Sequence, residues 1–542
     1  MPEVLELDIS RLVIGPKGID PFYAPFSPGD LGRFREALLS RVFAALADSP
    51  SRRREEVELA LVLILEFLRE VLALYYSGTL VRRARADGVV HISVPPGCTM
   101  LAAVSTGGVP DPRQRRTWQL LARGIPDPIW RRPLRLARNL LLRDEFSRRP
   151  LPAIDLQHDI VTPAVSPLIR RHARSLAERV CLVPARSWFP PLPDPVLENA
   201  GEQALGSGIT ETLLEAVSKA YRDAGESLPT PEKAYLGRWL EVVSGLCRAY
   251  LDRLLDAPQR IPGRLWTGTG GIIWMRLLRL ACRRLGGEIT GHEHGTASPA
   301  ESISIGLWEF EFCDRFVTFT PEMAQRYRQP HHHRYRVFDP APAITDILTL
   351  EGGSDRSENT PARLEVPRSR PRRVMYVNTI YFGDAPGFTP AFPDPVWVDW
   401  QARLMTRLKM AGYEVLLKPH PECRLRPAPA FEALADGVLY ERMEQVQEQA
   451  DLFLFDWVQT TTLVQALATD IPIVVIDFGF TSFEPEAEAL FRRRCAVVRG
   501  WVDDAGRAQV DEHELLQALE AAIPKAGDRA FFHHYQGGMA GV

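Results

Sequence analysis

Two short polar runs close strongly apolar segments in this chain, and their residue types suit the binding of phosphate. The first is Val415-Leu416-Leu417-Lys418-Pro419-His420-Pro421-Glu422. Each proline fixes its own φ and drives the preceding residue toward extended geometry, so Lys418 and His420 are expected to stand stiffly at the carboxyl end of a strand. An ammonium and an imidazole placed there suit a phosphate or diphosphate; they equally suit a turn with a solvated lysine and a capping histidine. The second run is Leu452-Phe453-Leu454-Phe455-Asp456-Trp457-Val458-Gln459-Thr460-Thr461-Thr462. A buried strand ends on Asp456, and Thr460, Thr461 and Thr462 open the following helix. Hydroxyls and unpaired N–H groups at a helix start can hold an anion, although one threonine serving as an N-cap needs no ligand.

A third cluster is His292-Glu293-His294-Gly295-Thr296. Glu293 or His294 can take a proton from an acceptor hydroxyl. His292 and His294 share one face of an extended strand, but spacing supplies no third ligand, so no metal is expected. Thr267-Gly268-Thr269-Gly270-Gly271 is a glycine-rich strand-to-helix turn without the spacing of a P-loop or a dinucleotide fingerprint. Gly268, Gly270, Gly295, Thr296 and Asn378 are assigned to the lining of a cleft. His331-His332-His333 reads as a solvated run in a loop. No Ser-His-Asp spacing supports a hydrolase.

The elements that must position these residues alternate in type. Strands are expected at Val180–Val183, at 264–267, at 288–290, at 316–319, at Val374–Asn378, at Glu414–Leu417, at Leu452–Phe455 and at Ile473–Ile476. Helical spacing fills the gaps at about 209–223, 231–256, 272–285, 396–411 and 461–469. Such alternation predicts parallel sheets, whose ligands bind beyond the carboxyl ends of the strands. The fold class expected is α/β. Two doubly wound Rossmann-like domains, residues 151–350 on the acceptor side and 373–542 on the donor side, are joined by a polar linker at 351–372. Residues 1–150 form a mainly helical N-terminal region, with Leu31–Leu46 and Glu55–Tyr76 at helical spacing.

Composition narrows the function classes. A chain of 542 residues exceeds one ordinary core, and a net charge of -3 argues against nucleic acid held by bulk electrostatics. Seven cysteines without a CxxC pair give no disulfide framework or zinc finger, which fits a reducing cytoplasm. The first residues lack a basic-then-apolar signal pattern. The apolar run Leu59–Tyr76 contains Glu66, Arg69 and Glu70, and so reads as a buried helix. Trp130–Arg149 is arginine-rich and amphipathic. Such a stretch can lie on an anionic membrane surface, or its arginine stems can simply cover apolar surface.

The Lys-Pro-His-Pro strand end, the later Asp with a hydroxyl-rich helix start, and the proline before the next strand resemble bacterial surface-carbohydrate and capsule biosynthesis glycosyltransferases of GT-B architecture. Sialyltransferases and Kdo transferases share a His-Pro motif and a Ser/Thr motif that contact the cytidine monophosphate of the donor. Teichoic-acid glycerophosphotransferases carry His-Gly-Thr and His-Pro elements. The resemblance spans roughly residues 263–480. It implies donor binding by Lys418, His420, Pro421, Asp456, Thr460, Thr461 and Thr462, with Glu293 or His294 as base. It also implies no metal and no cofactor, a nucleotide-sugar donor (a CMP-linked keto-sugar over a UDP-hexose) and a glycan or protein acceptor. Two departures stand out. Gln465 occupies the place where many GT-B enzymes carry a glutamate for a ribose or sugar hydroxyl, and the acidic motif of sialyltransferases is missing. A CDP-alcohol phosphotransferase, a sugar-nucleotide epimerase and a non-catalytic carbohydrate-binding or scaffold protein are the alternatives.

Overall fold

The structure is a computed structural model that describes residues 3–49, 53–125, 154–176, 178–294, 300–301, 305–338, 340–351, 372–388, 392–420, 423 and 425–536. The arginine-rich stretch Trp130–Arg149 and most of the expected linker lie outside the described residues.

After three short strands, Val4–Glu6, Ile14–Gly15 and Gly18–Ile19, the N-terminal region forms two long helices, α1 (Pro28–Ala47) and α2 (Arg54–Ala86). Ser27 and Asp30 form a reciprocal capping box at the start of α1, and Pro28 supplies the preset φ of a first helical residue. The run read as a buried helix belongs to α2, which is apolar on nearly all sides and passes through the largest core of the molecule. Its partners there include α3 (Ser207–Asp223), α4 (Thr230–Leu255) and α5 (Ile273–Arg284). Glu70, interior to α2, is held by Arg115 Nε at 2.7 Å and by the Tyr235 hydroxyl. A buried charge is tolerated when it is paired in this way. Gly245 of α4 has no alternative residue: a Cβ there would stand 1.6 Å from the Ala200 carbonyl oxygen.

A six-stranded sheet follows. Its strands are β1 (Ile160–Thr162), β2 (Val180–Leu182), β3 (Arg264–Thr267), β4 (Glu288–His292), β5 (Arg315–Thr318) and β6 (Ala343–Asp346). They lie in the order β6-β5-β4-β3-β1-β2, all parallel. The second sheet has seven strands: β7 (Arg373–Val377), β8 (Glu414–Lys418), β9 (Gly437–Val438), β10 (Leu452–Phe455), β11 (Ile473–Asp477), β12 (Ala496–Val502) and β13 (Ala508–Val510). Their order is β9-β8-β7-β10-β11-β12-β13, parallel except for the last pair. In each sheet the strand order reverses once, between β1 and β3 and between β7 and β10, and such a reversal opens a crevice at the carboxyl ends.

Two features differ from the expected division of the chain. The first residues leave the N-terminal helices and pack on the second sheet's side: Ile9, Leu12, Ile14 and Ile19 join the core beneath helix Asp394–Met410, where the Ile19 N–H donates to Asp399 at 2.9 Å. The two sheets are also joined rather than merely facing. Phe310, Phe316 and Tyr327 share one core with Phe453, Phe455 and Val464, and Ser482–Phe483 pairs antiparallel with Ala300–Glu301. Apolar side chains fill this part of the seam where an open inter-domain cleft was expected.

Candidate functional site

The reversal point of the second sheet gathers the sharpest of the sequence motifs. Lys418, Val377 and Phe455 lie in one row, since Val377 pairs with both of the others. The ends of β8 and β10 are therefore two strand spacings apart, about 10 Å. Asn378, just past β7, ties this edge together. Its N–H donates to the Lys418 carbonyl at 3.2 Å, and its side-chain oxygen accepts from the His420 N–H at 3.0 Å. The Lys-Pro-His turn is thus fixed by a side chain as well as by its prolines. Asn378 Nδ2 reaches the Tyr381 hydroxyl at 3.4 Å, which in turn donates to Gln401 Oε1 at 2.5 Å.

Lys418 is buried, with its ammonium 3.3 Å from the Pro419 carbonyl. Burial pushes its pKa down, and the nearby Glu441 and Glu444 carboxylates work against that. Gln465 donates to Glu444 Oε1. A carboxylate therefore stands at this end of the crevice after all, contributed by the helical turn Met443–Val446. Spacing could not reveal it, because Glu444 and Gln465 belong to different elements.

Asp456 is 3% exposed. Its Oδ2 accepts from the Tyr376 hydroxyl and from Trp400 Nε1 at 3.1 Å, while its Oδ1 has no hydrogen-bond partner among the described residues. Burial raises the Asp456 pKa to about 7, against the two hydrogen bonds. The following helix, Thr461–Leu467, begins with Thr460 as N-cap, whose hydroxyl accepts from the Thr462 N–H at 3.3 Å. One hydroxyl is thereby committed to capping; Thr461 is exposed and Thr462 half-buried. Half-buried Trp457, Phe478 and Phe480 follow β10 and β11 at the same end of the sheet and pack around Phe392 and Trp397. Pro421 lies outside the described residues.

The first sheet's motifs are placed differently. Glu293 is 2% exposed, with one carboxylate oxygen accepting from the Phe319 N–H and the other from the Tyr327 hydroxyl, both at 2.9 Å. Burial lifts its pKa to about 7. Both of its oxygens are engaged in the interior, whereas His294 is exposed. His292 spends both ring nitrogens inside the protein, on His172 Nδ1 at 2.9 Å and on the Thr267 carbonyl at 3.3 Å. His172 stacks on Trp266, and burial depresses both imidazole pKa values, that of His172 to about 4.

The glycine-rich turn closes on the chain's own carboxylate. The Gly270 N–H donates to Glu309 Oε2 at 2.5 Å and the Thr269 hydroxyl to Oε1 at 3.3 Å. A Cβ at Gly270 would stand 2.5 Å from the Trp308 carbonyl oxygen, and Gly268 is buried against Ile169 and Ser166. Gly270 thus leaves no room for a Cβ, whereas one at Gly268 would meet only ordinary contacts, the nearest being Ile169 at 3.4 Å. Gly295 and Thr296 lie outside the described residues. The expected solvated histidine run is a short turn, Pro330–His333, in which His332 is 3% exposed and His333 Nε2 lies 2.8 Å from the Tyr327 carbonyl.

All seven cysteines are free thiols. Among the described residues no helix is long and apolar enough to cross a membrane. No protein-family model and no curated protein matches the chain.

Proposed function

We propose that the chain is a glycosyltransferase of GT-B type that transfers a sugar from a nucleotide donor, a CMP-linked keto-sugar, to a surface-glycan or protein acceptor. The observation that carries the reading is the convergence of Lys418, Asn378, His420, Asp456 and Thr461 at the strand reversal of the second sheet. In this reading Lys418 and the backbone and hydroxyl donors of the Thr460–Thr462 turn stabilise the negative charge that grows on the leaving phosphate, the main electrostatic demand of the reaction. Glu444, held by Gln465, takes the place of the missing glutamate and accepts from a donor hydroxyl. That carboxylate favours a catalytic protein over a scaffold that has only kept the fold. With Glu293 enclosed by Phe319 and Tyr327, the exposed His294 is the better placed of the two candidate bases.

The test is direct binding of CMP, CDP and UDP, followed by thermal shift and calorimetry, with Lys418→Ala alongside. At least one nucleotide should raise the melting temperature. Lys418→Ala should weaken its Kd by roughly 10- to 100-fold, the loss of one charge-assisted hydrogen bond of about 1.5–3 kcal/mol. Indifference to all three nucleotides would remove the transferase reading. A phosphodiester product on incubation with a CDP-alcohol would replace it with phosphotransfer.

A further inference from the structure

The histidine run that the proposed transfer reaction leaves unused meets a carboxylate from the other half of the molecule. His331 and His332 stand on the turn Pro330–His333, which follows helix Pro321–Tyr327 of the first sheet. Glu484 stands on the second sheet's side, immediately after the strand Ser482–Phe483 that crosses the seam, and precedes helix Pro485–Arg494. One ligand atom from each of the three residues lies within 4.8 Å of the other two. His331 Nε2 is 3.9 Å from Glu484 Oε1, and it is buried with no hydrogen-bond partner among the described residues. The His331 and His332 rings are 4.0 Å apart between centroids, so the two imidazoles are close neighbours.

We propose that His331, His332 and Glu484 bind one divalent transition-metal ion of the zinc class and thereby clasp the two sheets at their seam. Two imidazoles and a carboxylate are a ligand set suited to Zn2+, with the fourth position of a tetrahedron left to water. Metal–ligand bonds of about 2.0–2.2 Å require ligand atoms about 3.3–3.5 Å apart, so the present spacing must contract by about 1 Å. Side-chain rotation of His331 and Glu484, each about one-third exposed at 36% and 34%, supplies that movement. Arg326 Nε donates to Glu484 Oε1 at 2.9 Å, the same oxygen that lies 3.9 Å from His331 Nε2, and so orients the carboxylate. Hydrogen bonds of this kind to a ligating group fix its direction and tune its affinity. The proposal is independent of the nucleotide site at the second sheet's reversal point.

The experiment is equilibrium dialysis of the full chain against Zn2+ and Co2+ at micromolar concentration, with metal content, the visible Co2+ spectrum and the melting temperature as readouts. The wild type should retain one equivalent, show the intense visible bands of Co2+ with four ligands, and melt higher with Zn2+ than after chelation. His331→Ala and Glu484→Gln should lose the bound equivalent and the metal-dependent shift, with Kd weakened at least tenfold and the circular dichroism spectrum kept. His333→Ala, outside the cluster, should bind as the wild type does. Less than stoichiometric metal on the wild type, or unchanged binding by folded His331→Ala and Glu484→Gln, would overturn the proposal. Metal loss by His333→Ala to the same extent as by His331→Ala would do so too.

Discussion

At the first sheet's glycine-rich turn, the Gly270 N–H and the Thr269 hydroxyl close on Glu309, and the histidines beside it bond to each other. At the second sheet's reversal point, Thr461 is exposed, His420 is half-buried and Asp456 Oδ1 has no hydrogen-bond partner among the described residues. Both sheets are parallel where these turns emerge, and both turns follow an apolar strand. The difference is who supplies the counter-charge. Glu309, with Arg276 and Arg279 packed behind it, fills the first turn from within, so that turn is finished as interior. At the second turn the nearby carboxylates, Glu441 and Glu444, act on Lys418, and no such internal anion closes on the Thr460–Thr462 turn among the described residues. A strand reversal provides a crevice; side chains from elsewhere decide whether it stays open.

The largest effect that would break this comparison is on the first turn. Glu309→Gln removes the charge that faces Arg279, whose side chain is wholly buried and whose guanidinium lies 3.6 Å from the carboxylate. Removing one partner of a buried pair typically costs about 3–5 kcal/mol. Chemical denaturation should show a loss of that size, with nucleotide affinity in the surviving folded fraction unchanged. A loss below about 1 kcal/mol would mean that the turn is not held by its internal anion, and that the contrast with the second sheet is misdrawn.

The next test sharpens the contrast through pH. An acid whose folded pKa lies above its unfolded value is protonated more readily in the folded state, so its contribution is greatest below the unfolded pKa and is lost as pH rises through the folded one. For Asp456 that window runs from about 4 to about 7. Glu293 acts in the same sense and His172 in the opposite one, its depressed pKa costing stability as pH falls from about 6.5 toward about 4, so raw stability curves mix these groups. Comparison of Asp456→Asn with the wild type isolates the aspartate. The variant should gain on the wild type as pH rises from 4 to 8, by on the order of 4 kcal/mol if about three pKa units are in play. A difference that stays flat across this range would show that the Asp456 carboxylate is not destabilised by burial.

Much of this arrangement was legible in the sequence, for reasons that also mark where legibility ends. Lys418 and Asp456 were found because each ends an apolar run that becomes a buried strand, and strand ends are local information. The strand Ile160–Thr162 is too short and Ala496–Val502 too interrupted by Arg499 and Gly500 to declare a period. The Gly268–Gly271 turn gave no hint of its partner, because Glu309 lies on another element and no spacing rule connects the two. Glu293 looked like chemistry because of its residue type and His332 like part of a solvated run, yet tertiary packing encloses both. The docking of Ile19 on Asp399 joins residues 380 positions apart, a contact that only the folded chain displays.

The smallest effect comes from the threonines, and it separates capping from binding within one turn. Thr460 caps its helix with its hydroxyl, so Thr460→Ala should cost about 1 kcal/mol of stability, the usual value of a lost N-cap. Thr461 is exposed and is not the cap, so Thr461→Ala should leave stability within about 0.5 kcal/mol of the wild type. If the turn receives a phosphate, Thr461→Ala should still weaken nucleotide binding by roughly 2- to 10-fold, the equivalent of one neutral hydrogen bond of about 0.5–1.5 kcal/mol. Calorimetric titration beside thermal melts reads both quantities on the same samples. Equal affinity in Thr461→Ala and the wild type would reduce the threonine run to a helix cap and move the anion-binding role onto Lys418 and the Asn378-braced His420 turn alone.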